Sequence, residues 1–384
     1  MLSYSNHHGK SLCQCVLDAA GELCNNNKRM KLSLLSLALA FVLCPLYAAN
    51  TAVQEVSGLE GHAAVAAPVT PAEAQPKNII LMIGDGMGLE QLCLGRITNK
   101  GPLSIEQLPV TGFSRTPSAS HMVTDSAAGG TAFACGTKAI NGQLGQTPEG
   151  ENRDSLLALA VQRGMAGGLV VTKDITDATP AAFYAHVPSR EQAVDIAAFL
   201  PGSGARFVRG GGMSHFTEEQ LAAMRAAGMD IELTAPKHMP PASARGDVLV
   251  QDTVRALEVL SANAEQGFFL MVEGSQIDTA GHANDLREVA CEMLDFDKAV
   301  GVVMEWMQTH PDTLLVVTAD HQTGGLSLLS GDMKEGSVKG AFSTGSHNGI
   351  AVPVYAAGAG AAAFTGFHEN TELFSLLKAA MEKN

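Results

Sequence analysis

The feature that most restricts how this 384-residue chain can fold is a set of short apolar runs, each ending in a chemically loaded turn. NIILMIG (78–84) leads into DGMG, GGLVVT (167–172) into KDITDATP, FFLMVEG (268–274) into SQID, and TLLVVTAD (313–320) into His321. Apolar runs of this length mark strands buried on both faces. Amphipathic stretches with helical spacing separate them. These are SLLALAVQRG (155–164), stopped by Gly164, and SREQAVDIAAFL (189–200), with Ser189 as its cap. DTVRALEVLSANAEQ (252–266) and NDLREVACEMLDFDKAVGVVMEWMQ (284–308) follow. The alternation predicts an α/β fold, a three-layer sandwich whose central, mainly parallel β-sheet is flanked by helices. Ligands of such sheets gather at the carboxyl ends of strands, so separate segments should converge on one site.

Order is expected to begin at Lys77. Residues 28–49 (KRMKLSLLSLALAFVLCPLYAA) place basic residues before about a dozen apolar ones, then Pro45 and small residues. That order of parts is a secretory signal, about 30–49, and its apolar run is short of the ~20 residues a spanning helix needs. Cleavage near Ala48 or Ala49 is expected, with lipidation at Cys44 as the other processing route. Residues 50–76, rich in Ala and Pro, read as a flexible linker, and 77–384 as a single catalytic domain. Of seven cysteines, Cys13, Cys15, Cys24 and Cys44 precede the cut. The remaining three, Cys93, Cys135 and Cys291, imply no disulfide framework.

With 46% hydrophobic and 17% charged residues the chain can bury a large core. Its formal net charge of −14 argues against nucleic acid as the main partner. A site for anions would then need locally bound metal to supply positive charge.

Candidate chemistry sits at the strand ends. Asp85, between two glycines in GDGMG, projects from the end of the first strand. TDSAAGGTAFACG (124–136) puts Ser126 at the start of a helix over Ala127–Ala134, where backbone N–H groups favour an anion. Taken alone, Ser126 reads as a capping serine. As a nucleophile it needs a base or a metal, and no histidine near it in sequence is placed to serve. EGSQIDTAGH (273–282) holds Glu273, Asp278 and His282; ADH holds Asp320 and His321; GSH (345–347) holds His347. Mixed imidazole and carboxylate donors suit zinc, and all-oxygen sets suit magnesium. DITDATPAAFYAHVPSR (174–190) adds Asp177, Thr179 and Arg190, the last either a solvated side chain or a fork for two phosphate oxygens.

From about Lys77 to about Met381 these segments, in their order, resemble the alkaline phosphatase family. NIILMIGDGMG, VTDSAAGGTAFACGTKAINGQLG, DATPAAFYAHVPSR, VEGSQIDTAGHAND, TADHQTGG and GSHNGIAVPVYAAG carry the resemblance. It implies a hydrolase of small phosphate monoesters with two zinc ions and one magnesium, a homodimer, exported to the periplasm or beyond with no membrane anchor in its mature form. Ser126 would be phosphorylated during turnover. Asp278, His282 and His347 would hold the first zinc, and Asp85, Asp320 and His321 the second, beside Ser126. Asp85, Thr179 and Glu273 would hold the magnesium, Asp177 acting there through water. Arg190 would clamp the phosphate, oriented by Asp125.

This chain departs from the family's pattern in three places. Thr279 follows Asp278 where an aromatic or basic residue is common, Asp177 stands where some members have His, and Asn348 where Thr is common. Without a lysine beside Asp278 the phosphate environment is expected to be less positive. The stretch from about 201 to 250, where relatives carry crown-like insertions, is short and contains the helix TEEQLAAMRAAG. A phosphodiesterase, sulfatase or phosphate-moving mutase could share the two-metal core, and an exported metal- or phosphate-binding protein is the non-enzymatic alternative. Glu273, Thr179 and Arg190 favour the monoesterase.

Overall fold

The central strands are continuous because nothing polar interrupts them. In the computed structural model, which describes residues 52–70, 75–262 and 265–382, all seven residues of strand Asn78–Gly84 are buried. The expected signal segment, with Cys13, Cys15, Cys24 and Cys44, lies outside the described residues. Among those residues the main sheet has nine strands. Their order is Gly366–Glu369, Val110–Arg115, Val352–Gly358, Thr313–Thr318, Asn78–Gly84, Phe268–Gly274, Ala166–Asp174, Phe207–Gly211, Asp230–Leu233. Val352–Gly358 runs antiparallel to both neighbours, and the other pairs are parallel. The expected α/β sandwich with a mainly parallel sheet is thus the observed architecture.

Strand alternation divides the core between the two faces. Ile79, Leu81 and Ile83 pack with Phe133, Leu156, Leu157 and Leu377 on one side, and Ile80 and Met82 with Leu257, Met293, Val300 and Val303 on the other. Each fully buried side chain of this size contributes about 1.5–3 kcal/mol relative to exposure.

Helix Ser126–Cys135 is buried along its whole length. Asp125 caps it by accepting from Ala128 N at 3.0 Å, and Gly136, at φ +67°, ends it in the left-handed region. Its small residues are a packing requirement. A methyl group on Gly129 would stand 3.1 Å from Asp320 Cβ, and one on Gly130 3.3 Å from Thr179 Cα. Sheet, helix and neighbouring loops can therefore approach to backbone distance.

Two expectations need revision. Segment 189–200 becomes helical only over Ala193–Phe199, with Gln192 rather than Ser189 at its start. The cause is Arg190, whose backbone N donates to Gly142 O at 2.7 Å and whose side chain is held elsewhere. The long helix expected over 284–308 is observed as Leu286–Met307, and a separate short helix, Gln276–His282, precedes it. Asn284, at φ +51°, turns the chain before Asp285 caps Leu286–Met307. The linker expectation fails over its described part. Gln54–Val56 pairs antiparallel with Ser337–Phe342, Gln54 Nε2 donates to Asn284 O at 2.6 Å, and Val56 and Leu59 are buried. His62 Nε2 lies 2.8 Å from Asp297 Oδ2. These anchors are too sparse to show a period.

Residues 201–250 do contain the expected helix, as Glu218–Ala226 with a Thr217–Gln220 capping box. Beside it Arg245 is sealed under a short turn. Its guanidinium meets both oxygens of Glu292 and lies 2.6 Å from Asp295 Oδ2, with Arg245 and Glu292 side chains at most 1% exposed. Removing one partner of such a pair strands the others. Arg245→Ala is expected to lower unfolding free energy by about 3–5 kcal/mol in a denaturant titration; a loss under about 1 kcal/mol would show the pair to be solvated. Cys93, Cys135 and Cys291 are free. Among the described residues no helix is long and apolar enough to cross a membrane.

Candidate metal and phosphate site

Sheet register brings the chemistry together. Ile83 pairs with both Thr318 and Glu273, and Glu273 with Val171, so the carboxyl ends of four adjacent parallel strands lie side by side. From them project Asp85, Glu273, Asp320 and His321, followed by Asp278 and His282 on helix Gln276–His282 and by Asp177 and Thr179. His347 arrives from the later chain, held by a two-stranded pairing of His347–Asn348 with Gln322–Thr323. All nine expected metal-shell residues, with Ser126, Asp125 and Arg190, are thus placed around the strand ends.

Two donor groups converge within it. Asp278, His321 and His347 form one, and Asp85, Asp320 and His321 the other; in each, the ligand atoms lie within 4.8 Å of one another. His282 joins the first, with its Nε2 3.0 Å from His347 Nε2 and 3.2 Å from Asp278 Oδ1. His282 Nδ1 lies 2.9 Å from Gly345 O and His347 Nδ1 2.9 Å from Thr124 O. A carbonyl only accepts, so both Nδ1 atoms carry the proton and, in the neutral rings, both Nε2 lone pairs point inward. Two inward lone pairs beside a carboxylate oxygen repel unless a cation lies between them.

In the second group His321 Nε2 stands 3.2 Å from Ser126 Oγ, 3.0 Å from Asp320 Oδ2 and 3.6 Å from Asp85 Oδ1. Asp85 Oδ1 and Asp320 Oδ2 are buried without a hydrogen-bond partner. Burial, with Asp320 and Asp278 close by, holds the Asp85 carboxyl well above the usual carboxylate range. Burial also pushes Glu273 up to about 8, although Ser275 hydrogen-bonds to it. Buried carboxylates crowded together in this way fit cations, and both donor groups suit a divalent ion. Thr179 Oγ1 and Glu273 Oε2 are likewise buried without partners.

The phosphate side is built around Arg190. Its Nη2 lies 2.9 Å from Asp177 Oδ1 and its Nη1 3.3 Å from Asp125 Oδ2, so two carboxylates fix the plane of the fork. Asp125 Oδ2 also accepts from Gly142 N at 2.9 Å. Against burial, the Asp177 and Asp125 carboxylates hold the guanidinium firmly charged. Arg190, Ser126, Asp278, His282 and His347 line one cavity of about 360 Å³. Asp177, expected to act at the magnesium through water, also engages Arg190 directly.

Two participants escape sequence reasoning. Thr323 Oγ1 donates to Asp278 Oδ1 at 2.7 Å, and Lys173 Nζ lies 3.2 Å from Asp278 Oδ2. Burial works against the Lys173 charge, but Asp278, Asp177 and Asp85 outweigh it and raise its pKa. Burial would likewise raise Asp278, yet the Lys173 charge holds its carboxyl well below the usual range. The expected shortage of positive charge beside Asp278 is therefore met from another strand. The signal for Lys173 was the first charge after LVVT, a run otherwise reading as buried.

The family model described as alkaline phosphatase matches residues 76–227 and 221–341. The chain is 30% identical to the streptomycin-6-phosphate phosphatase of Streptomyces griseus, over 80% of this chain and 91% of that protein. It is 30% identical to the alkaline phosphatase of Escherichia fergusonii, over 92% of this chain and 99% of that one. Some other curated relatives are longer, and the chain spans 56% to 63% of their length. The structure of alkaline phosphatase from the Antarctic bacterium TAB5 matches with a TM-score of 0.76 at 34% identity, covering 81% of this chain and 99% of that one. A histidine-to-aspartate mutant of the TAB5 enzyme, with Mg bound in its M3 site, matches with the same score and identity over 80% and 99%.

Proposed function

We propose, from the premise that this chain belongs to the alkaline phosphatase family, that it hydrolyses phosphate monoesters through a phosphorylated Ser126. The observation that carries the reading is the meeting of three features at one set of strand ends: a buried serine at a helix N-terminus, a carboxylate-fixed arginine and two convergent donor groups.

Asp278, His282 and His347 would hold one zinc, and Asp85, Asp320 and His321 the other, the mixed imidazole and carboxylate donors favouring zinc. When bound, such a pair supplies Lewis acidity for the serine oxygen and the leaving oxygen. Arg190 holds two phosphate oxygens, and the N–H groups that open helix Ser126–Cys135 face the anion. Ser126 Oγ attacks phosphorus in line, forming the Oγ–P bond as the ester P–O bond breaks and the alcohol departs. Water then attacks the same phosphorus, the Oγ–P bond breaks, and Ser126 and inorganic phosphate are released. His321, Asp320 and Asp85 keep Ser126 Oγ in place, while Asp125 and Asp177 keep Arg190 planar to the phosphate.

The magnesium implied by the resemblance would fall to Asp85, Asp177, Thr179 and Glu273, among which Lys173 stands. The magnesium in the TAB5 mutant supports divalent-ion chemistry here in general terms. Export and a homodimer complete the reading. Purified protein loaded with zinc should hydrolyse an aryl phosphate monoester at least about a hundred-fold faster than the matching diester, a discrimination of ~2.7 kcal/mol. A preference for the diester would move the chain to another branch of two-metal hydrolases.

A further inference from the structure

The two donor groups are not held alike. Asp85, Asp320 and His321 stand just past the ends of buried strands, and Asp320 and His321 are fully enclosed. His282 and His347 are carried by segments outside the main sheet, 65 positions apart, and the His282 side chain is 33% exposed. Asn284 ties these two segments together, its Nδ2 donating to Gly281 O and to Thr344 O, each at 2.8 Å. The Asn284 backbone sits at φ +51°, a region asparagine tolerates better than most residues. Its carbonyl and the first N–H of the next helix are met by a residue 230 positions away. Gln54 Nε2 donates to Asn284 O at 2.6 Å, and Leu286 N donates to Gln54 Oε1 at 3.1 Å. We propose that Gln54 is a positioning residue for the zinc site of Asp278, His282 and His347. The inference rests on the two-zinc reading above.

The first N–H groups of a helix have no partner within it, so the Gln54 carboxamide fixes Leu286–Met307 at its first residue. It fixes at the same time the peptide that sets the Asn284 turn. Gln54 is itself held in place, because Gln54–Val56 pairs with Gly340, Lys339 and Val338 of strand Ser337–Phe342. That strand leads on towards His347. One short segment thus grips both arms of the site: the turn that follows His282, through the Gln54 side chain, and the approach to His347, through backbone pairing. The arms meet again where His282 Nδ1 donates to Gly345 O at 2.9 Å. Loss of the carboxamide would loosen the Asn284 turn and with it the aim of both imidazoles. The strand ends that carry Asp85, Asp320 and His321 have no contact with Gln54 to lose. Groups that orient metal ligands from outside typically govern affinity by about 10–100-fold, and ligands carried on loops need that support most.

Zinc release tests this on the purified full chain. Wild type, Gln54→Met and Glu55→Ala are loaded with zinc, freed of unbound ions and mixed with a chromogenic chelator, and the loss of each ion is timed. Gln54→Met keeps the length of the side chain and neither hydrogen bond. It should release one zinc at least about tenfold faster than the wild type and the other at the wild-type rate. Glu55→Ala removes only an exposed ion pair with Lys339 on the same strand, and should release both ions as the wild type does. Raising free zinc should restore the aryl phosphate turnover of Gln54→Met. A general weakening of the fold would speed both ions alike; that result overturns the proposal, and so does an unchanged Gln54→Met. If Gln54→Met does not fold, amide exchange in the wild type decides. Zinc loading should protect the Leu286 amide, bonded to Gln54, more than the His62 amide, bonded to Asn99 in the same segment's path, and equal protection overturns the proposal. A wild type that retains fewer than two zinc ions overturns the inference together with the two-zinc reading. One that holds both ions yet leaves the monoester intact counts against the phosphatase reading alone.

Discussion

Ser126→Ala is expected to lower kcat for an aryl phosphate by at least about a thousand-fold, ~4 kcal/mol of transition-state stabilisation, with metal content and fold unchanged. The substitution removes one oxygen and little else. Ser126 is 4% exposed and opens its helix, but Asp125 supplies the cap, so alanine costs no N-terminal hydrogen bond. Arg190 and the two donor groups stay in place. Remaining turnover would come from direct attack of water on a phosphate still held in the cavity. Steady-state kinetics with a metal count on the same sample gives the answer, and an undiminished kcat would remove Ser126 from its role.

Stripping divalent ions with a chelator is expected to abolish hydrolysis and to lower the thermal midpoint by several degrees, both restored by zinc. Four buried carboxylates, the part-buried Asp177 and three imidazoles make up the strand-end cluster, and Lys173 alone cannot neutralise them. Ions that bind only the folded state stabilise it by about 2.7 kcal/mol at a hundred times their dissociation constant. The inward-facing Nε2 atoms of His282 and His347 predict that magnesium alone will not restore activity, because imidazole is a poor ligand for it. Chelator-resistant hydrolysis would sink the metal assignment.

What could be read from the sequence follows from where the forces are local. NIILMIG and FFLMVEG are buried on both faces, so hydrophobicity alone located their strands to the residue. Asp125 and Gly136 bracket helix Ser126–Cys135 by cap chemistry that acts within one turn. The readings that failed were those a distant group decides. Ser189 lost its helix because Arg190 is tied to Gly142, Asp125 and Asp177. Gln54–Val56 is a strand only because Ser337–Phe342 offers an edge far along the chain. The donor residues were legible as types at strand ends, but the 3.2 Å approach of His321 to Ser126, across 195 positions, exists only through sheet register. Lys173 was missed because a lysine near the end of an apolar strand reads as its exit to solvent.

The side-chain-poor helix Ser126–Cys135 carries a consequence for how such a protein can diversify. Its contact with Asp320 and Thr179 is made by the backbone of Gly129 and Gly130, so that wall has no side chain to trim or enlarge. The half of the site that holds phosphate is therefore closed to gradual change. Adaptation to a new alcohol would have to come from the loop residues that line the rest of the cavity, Val123, Asn141 and Ser346. Evolvability and chemistry are thus assigned to different parts of the chain: exposed loops vary which ester is held, while a buried helix keeps the reaction the same.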